Sequence, residues 1–429
     1  MNPEERRNLL REVALSGNCS HPIRLRGEMV NLETGEVGSG SLRVACKDRR
    51  QAVCPACSKL YQADAWILVV AGLIGGKGIP EGVTSHPRLF VTLTAPSFGP
   101  VHSLRPDGRC SPAPRSSGHR LCPHGASSRC TQRHAESDPY LGRPLCADCY
   151  DYEGAVLWNA HASRLWNTTV QLTRRGLAEA GHIAQARLKE VAKLHYLKVA
   201  EMQRRGLVHF HVLLRADGPE DSESDPPDWL SAELLAVVAR DAVRRASAWR
   251  MDGRTVGWGN VLDIQALGEE SRDAERASSY LAKYVTKTTG GSAELAHRFR
   301  LRRQIEQLVD DPHARRLALT AWDLGGHEEF SALNLRAHAH TLGFAGQLIT
   351  KSRRYSTTFT GLRRARAEFM APRNAGDPVE GTFTYEGRGY DDPRGTQLAE
   401  LFFAMEKELR EEGARARRSP HLIPPERAS

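Results

Sequence analysis

Glu201-Met202-Gln203-Arg204-Arg205-Gly206-Leu207-Val208-His209-Phe210-His211-Val212-Leu213-Leu214-Arg215 carries the densest structural signal in the chain. Strand side chains alternate between faces. His209 and His211 therefore share one face with Leu207 and Leu213, while Val208, Phe210, Val212 and Leu214 form an apolar face opposite. A three-residue turn, Arg204-Arg205-Gly206, puts Gly206 at the left-handed position such hairpins favour and sets Glu201 across from His209. Two neutral imidazoles and a carboxylate would leave coordination positions open for a substrate oxygen, so His209, His211 and Glu201 are expected to hold a divalent metal. A bare His-x-His pair can equally fill polar positions on a half-exposed strand; the Glu201 register favours ligands.

Upstream, the stretch 88–95 alternates Phe90, Thr92 and Thr94 with Leu89, Val91 and Leu93 and stops at Pro96, which predicts a strand with one core face and one hydroxyl-bearing face. The apolar spacing from Val156 to Leu177 predicts a long helix over 152–180. Downstream come an acidic, Pro-containing linker at 218–228, a helix over 231–249, a strand over 256–267 and a helix over 272–288. In that last helix Tyr280, Tyr284 and Lys287 recur at i, i+4 and i+7 with Lys283 beside them, while Leu281 and Val285 take the buried side. Such a stripe is often core packing, yet a nearby cation can also activate a tyrosine hydroxyl. Beyond residue 290 the pattern is helical to about 319.

These elements predict an α+β fold, an antiparallel sheet carrying helices on one face. The expected organisation is an N-terminal segment of loops or short strands at 1–45, a cysteine-rich region at 46–150 that contains the strand 88–95, a core at 151–290, a basic and mainly helical region at 291–414, and a disordered tail at 415–429.

The chain has 429 residues with a net charge of +9, and its composition excludes a wholly disordered or collagen-like protein. The positive balance favours an acidic partner, and arginines crowd the last third. No run reaches the ~20 apolar residues of a membrane span, and Glu4-Glu5 stand where a secretory signal needs cations, so cytoplasmic residence without a membrane partner is expected. Nine cysteines in a reducing compartment read as metal ligands. The spacing of Cys54-x-x-Cys57 and Cys146-x-x-Cys149 suits structural Zn2+, and the two pairs could close one site around the strand between them. Cys46, Cys122 and Cys130, with Cys110, His124 and His134, could supply a second; Cys19 has no assignment. Gly72 to Gly78 fails as a phosphate loop, because Ala71 occupies the first glycine position and Gly78 follows Lys77 where a hydroxyl should stand.

A hydroxyl strand (Phe90-Val91-Thr92-Leu93-Thr94), a His-x-His strand (His209-Phe210-His211) and a Tyr-x-x-Lys-Tyr helix (Tyr280 to Lys287), in that order, resemble the three motifs of the HUH endonuclease superfamily. With Cys54-Pro55-Ala56-Cys57, Leu93 to Pro100, Leu145 to Tyr152 and Lys351-Ser352-Arg353-Arg354-Tyr355-Ser356, the stretch from about 45 to 365 is similar to replication initiators of actinobacterial rolling-circle plasmids and integrative conjugative elements. The resemblance implies an HUH-type sheet, a catalytic Mg2+ or Mn2+ on His209, His211 and Glu201, and attack by Tyr280 or Tyr284 that yields a 5′-phosphotyrosine link and a free 3′-hydroxyl. Lys283 or Lys287 would help neutralise the phosphate, and Lys351, Arg353 and Arg354 would contact the backbone of single- and double-stranded origin DNA. A host helicase and polymerase would then act as partners. Two alternatives stand beside this reading: a relaxase or single-strand transposase of the same superfamily, and a zinc-containing DNA-binding regulator without enzymatic activity.

Overall fold

The computed structural model describes residues 2–105, 107–110, 121–127, 129–248, 250–251, 254–268, 271–284, 295, 297–370 and 379–418; at 250, 251, 254, 271–273, 283, 284, 370, 379 and 415–418 it describes the backbone alone. The first elements are α1 (Pro3–Leu15), β1 (Ile23–Asn31), β2 (Val37–Val44), α2 (Pro55–Ile74), β3 (Arg88–Leu93) and α3 (Tyr152–Ala180). The hairpin strands β4 (Lys193–Met202) and β5 (Val208–Asp217) follow, then α4 (Ala232–Arg245), the short ribbon β6 (Arg250–Met251) and β7 (Arg254–Thr255), β8 (Leu262–Ala266) and α5 (Ser271–Tyr284). The chain continues through α6 (Arg302–Leu308), α7 (Pro312–Leu324), β9 (Ile349–Lys351), α8 (Phe359–Met370), β10 (Val379–Arg388) and α9 (Arg394–Arg418).

Internal contacts divide the chain into two units, 1–63 with 364–429, and 64–363. The first unit joins the two ends of the sequence, so no linear division of the chain expresses it. Its sheet has the order β10-β1-β2 and is antiparallel throughout. α1 starts at a reciprocal cap, in which the Asn2 side chain accepts from the Glu5 N–H and the Glu5 carboxylate accepts from the Asn2 N–H. The expected loops or short strands of 1–45 are thus a helix, α1, followed by two paired strands, β1 and β2. Their signal is faint because β2 is a mostly exposed, glycine-containing strand with little apolar alternation to read.

The second unit holds the antiparallel sheet β8-β3-β5-β4-β9. β5 is central, and all ten of its residues are buried. Leu89, Val91 and Leu93 of β3 lie beside Leu214, Val212 and Phe210 of β5 and form, with Trp158, Ala162 and Trp166 of α3 and Leu235 and Ala239 of α4, the main core. α3 has the predicted bounds, and the Asp151 side chain caps it by accepting from the Gly154 N–H. The predicted strand over 256–267 shortens to β8, and the helix over 231–249 to α4. α5 is described to Tyr284, and the rest of the predicted helix lies outside the described residues. α9 runs through 415, where the disordered tail was expected to start, to Arg418, and 419–429 lie outside the described residues.

The sequence reading missed α2, which lies near the start of the span assigned to a cysteine-rich region. By length and composition this helix is apolar enough to cross a membrane. Ala65, Leu68, Val69, Ala71 and Leu73 are instead buried within the protein. Arg215, fully buried, holds Asp217 through two bonds of 2.7 and 2.8 Å and also donates to the Gly72 and Tyr355 carbonyls; Arg88, opposite it across the β3–β5 ladder, donates to the Leu73 and Gly268 carbonyls. Two guanidiniums thereby satisfy carbonyls that the end of α2 leaves open.

Removing one partner of a buried ion pair strands the other without solvent. Arg215→Ala should lower unfolding stability by about 3–5 kcal/mol, read as a shift of the urea midpoint. An unchanged midpoint would show that Asp217 and these carbonyls do not depend on Arg215.

Candidate active site

The hairpin between β4 and β5 closes in the expected register, with Glu201 paired to His209 and Val199 to His211. The Gln203 N–H donates to the Leu207 carbonyl (2.9 Å), and Gly206 turns the chain at φ +73°. A Cβ there would lie 2.2 Å from Leu317 Cδ1, so both the backbone and the space require glycine. Asn159, fully buried on α3, donates to the Gly206 carbonyl (2.8 Å) and accepts from the Val208 N–H (3.0 Å). His313 Nε2 lies 3.1 Å from the Arg205 carbonyl. Neither clamp residue was visible in the sequence, because a single Asn in an apolar helix has no pattern of its own.

On the histidine face, β3 runs beside β5 with Thr92 across from His211, and Thr92 Oγ1 lies 3.4 Å from His211 Nδ1. The other ring nitrogen of His211 is 3.4 Å from Glu201 Oε2, and Gln203 Nε2 is 3.4 Å from His209 Nδ1. Both histidines are buried. Burial, reinforced by neighbouring His211, pushes the His209 imidazole down to about 4, so at neutral pH it is uncharged and offers a lone pair. Paired imidazoles and one carboxylate on a single face suit a divalent cation. Their spacing is looser than that of the tight donor groups below, none of which includes them.

α5 crosses this face. The Tyr280 ring stands edge-on to His211 with centroids 5.0 Å apart and edge-on to Phe90 at 5.9 Å, while Phe90 stacks on His211 at 5.9 Å. Tyr280 is 43 % exposed, so its ring reaches both the histidine and solvent. Leu281, Ala277 and Ala274 bury the other side of the helix. The α5 backbone includes Lys283 and Tyr284, whose side chains, with all of Lys287, lie outside what is described.

Among the described residues, three groups of four donors converge with their ligand atoms within 4.8 Å of one another: Cys19, Cys46, Cys54 and Cys57; His102, Cys110, Cys130 and His134; and Cys122, His124, Cys146 and Cys149. The two Cys-x-x-Cys pairs therefore do not share a site, and Cys46, Cys122 and Cys130 fall into three different groups instead of one. Each pair finds partners nearer to it in space. Cys54 and Cys57 meet Cys19, whose sulfur accepts from the Cys46 N–H, and Cys146 and Cys149 meet the turn at 122–124. Tetrahedral Zn–S bonds of about 2.3 Å place two sulfurs roughly 3.8 Å apart, which matches the 3.8 Å between Cys54 and Cys19.

Of the basic residues expected at DNA, Arg353 and Arg354 are exposed. The Lys351 ammonium instead donates to the carbonyls of Ser352, Arg353 and Ser356 (2.7 Å to the last), and burial lowers its basicity. Its role in the structure is to hold the turn that carries the two arginines.

The family model described as replication initiator protein, pSAM2, matches residues 5–404. A replication initiator protein of Streptomyces ambofaciens is 39% identical over 373 residues, covering 84% of this chain and 77% of that protein. No solved structure matches the chain.

Joint replacement Cys54→Ser and Cys57→Ser should remove one metal ion per chain and lower the melting midpoint, since folding and metal binding are coupled. Elemental analysis of freshly purified, reduced protein reads the first effect and calorimetry the second. Equal metal content in variant and wild type would mean that the thiols of this group are only buried.

Proposed function

The chain belongs to the RepSA family of replication initiators, and we propose that it starts rolling-circle replication by cutting one strand of its origin DNA through tyrosine attack on phosphorus. The observation that carries this reading is the approach of the Tyr280 ring to His211, itself beside Glu201, on the buried face of the sheet. A potential nucleophile and a metal-suited donor set then face one volume, as an HUH endonuclease requires.

His209, His211 and Glu201 would hold a Mg2+ or Mn2+ ion, which when bound supplies Lewis-acid polarisation of a phosphate oxygen. The Tyr280 oxygen forms a bond to phosphorus and loses its proton, the P–O3′ bond breaks, and the leaving oxygen takes up a proton to become a free 3′-hydroxyl. The DNA 5′ end stays joined to the tyrosine. Thr92 and Gln203 keep the imidazoles oriented. Tyr284, one helical turn further along α5, is the candidate for a second cleavage at termination, and Lys283 and Lys287 for charge neutralisation. Arg353 and Arg354 would grip the DNA backbone, whose phosphates dominate affinity. Structural Zn2+ in the Cys19 and Cys122 groups would brace the fold. Opening and copying the duplex fall to a host helicase and polymerase.

In nicking of a supercoiled origin plasmid with Mg2+ or Mn2+, His209→Ala and His211→Ala should each lower the rate by about 100-fold or more, with duplex binding largely retained. Glu201→Ala should behave alike. Wild-type protein that binds the origin but leaves the plasmid intact would favour a non-enzymatic regulator.

Tyr280→Phe should abolish or strongly reduce the covalent adduct in first-strand cleavage. Peptide mass spectrometry of the 5′ end of a cleaved oligonucleotide identifies the attached residue. An adduct on a tyrosine outside α5 would overturn the assignment; Tyr355 is a poor alternative because it is fully buried.

A further inference from the structure

His102, Cys110, Cys130 and His134 belong neither to a Cys-x-x-Cys pair nor to the histidine face, and no spacing rule groups them. Their ligand atoms nevertheless lie within 4.8 Å of one another. His134 is buried, and its Nδ1 donates to Asp138 Oδ2 at 2.7 Å. That bond leaves Nε2 as the lone-pair nitrogen. It faces Cys130 Sγ at 3.4 Å and His102 Nδ1 at 3.3 Å.

Two imidazole nitrogens and two thiols converging on one point are the donor set of a tetrahedral zinc site. The distances give its size. Zn–N bonds of about 2.0–2.1 Å at the tetrahedral angle separate two nitrogens by roughly 3.3 Å, and Zn–N with Zn–S separates nitrogen and sulfur by roughly 3.5 Å. The measured 3.3 and 3.4 Å fit this shell. Asp138 completes it as the carboxylate that orients a ligating histidine through its other nitrogen.

We propose that His102, Cys110, Cys130 and His134 bind one structural zinc ion, oriented by Asp138, which stiffens the segment packed against the turn of the β4–β5 hairpin. Four protein donors close the shell and leave no position for a substrate. The packing is tight. Arg204, in the turn, donates to the carbonyls of Glu136 and Asp138, and Gly142 sits so close that a Cβ would lie 2.4 Å from the Arg204 carbonyl carbon. Val101, His102, Leu141 and Gly142 then form one wall of a cleft of about 940 Å³ whose other wall includes Gln203 to Arg205 and Trp258. The ion would hold that wall in place beside the strand that carries His209.

The test reads metal content of the full-length, reduced protein by native mass spectrometry, so it does not depend on nicking. Cys110→Ser with Cys130→Ser should carry one zinc ion fewer than wild type. His134→Cys should keep the ion and His134→Ala lose it, because a thiolate can replace an imidazole as donor but a methyl group cannot. Asp138→Asn should keep the ion yet yield it to a chelator about 10–100-fold more readily. Unchanged zinc in both the double variant and His134→Ala overturns the site, as does a Cys110–Cys130 disulfide in the wild type, seen as the loss of two hydrogens in mass. If the double variant does not fold, the comparison of His134→Cys with His134→Ala decides alone.

Discussion

The register of one hairpin governs the site. A slip of one residue between β4 and β5 would undo the pairing of Glu201 with His209 and set the apolar faces of the two strands on opposite sides of the sheet. Three restraints prevent it. Gly206 supplies a left-handed turn where a Cβ would meet Leu317, Asn159 on α3 binds the Gly206 carbonyl and the Val208 N–H where the turn enters β5, and Val208, Phe210, Val212 and Leu214 pack into the main core. With the register set, the pairing of Glu201 with His209 and of Thr92 with His211 follows from ladder geometry.

Around that hairpin, polar groups are used to fix positions that apolar packing leaves free. Arg88 and Arg215 fasten the end of α2 to the sheet from beneath, and Lys351 secures the turn that follows β9. Each is a basic side chain in a chain with a modest positive excess, yet each is spent on backbone carbonyls, Arg215 on Asp217 as well. The net charge of +9 is therefore a poor map of a nucleic-acid surface, and Arg353 and Arg354, which remain exposed, are better candidates than their neighbour. The three donor groups extend the same economy to stretches with few large apolar residues, where metal bonds can replace a core.

Part of this was legible in order along the chain. The strand predicted over 88–95, which the structure ends at Leu93, the helix 152–180 and the turn at Gly206 each have a strong local period or a residue with one conformational use. α2 went unread inside a span read for its cysteines, while β1 and β2 were open between loop and short strand because exposed strands lack alternation. Cys19 had no neighbour in sequence to mark it, being 27 residues before Cys46.

The sequence by itself determined which side chains leave each strand or helix on the same face, because that depends only on the period of the backbone. It therefore sufficed for the shared face of His209 and His211 and for their opposition to Glu201. Tertiary structure alone decided which separated segments meet: Tyr280 with His211, Cys54 and Cys57 with Cys19 and Cys46, and His134 with His102. Those encounters depend on how elements pack and how loops close, and loop closure costs so little more for a long loop than for a short one that sequence distance cannot rank the partners.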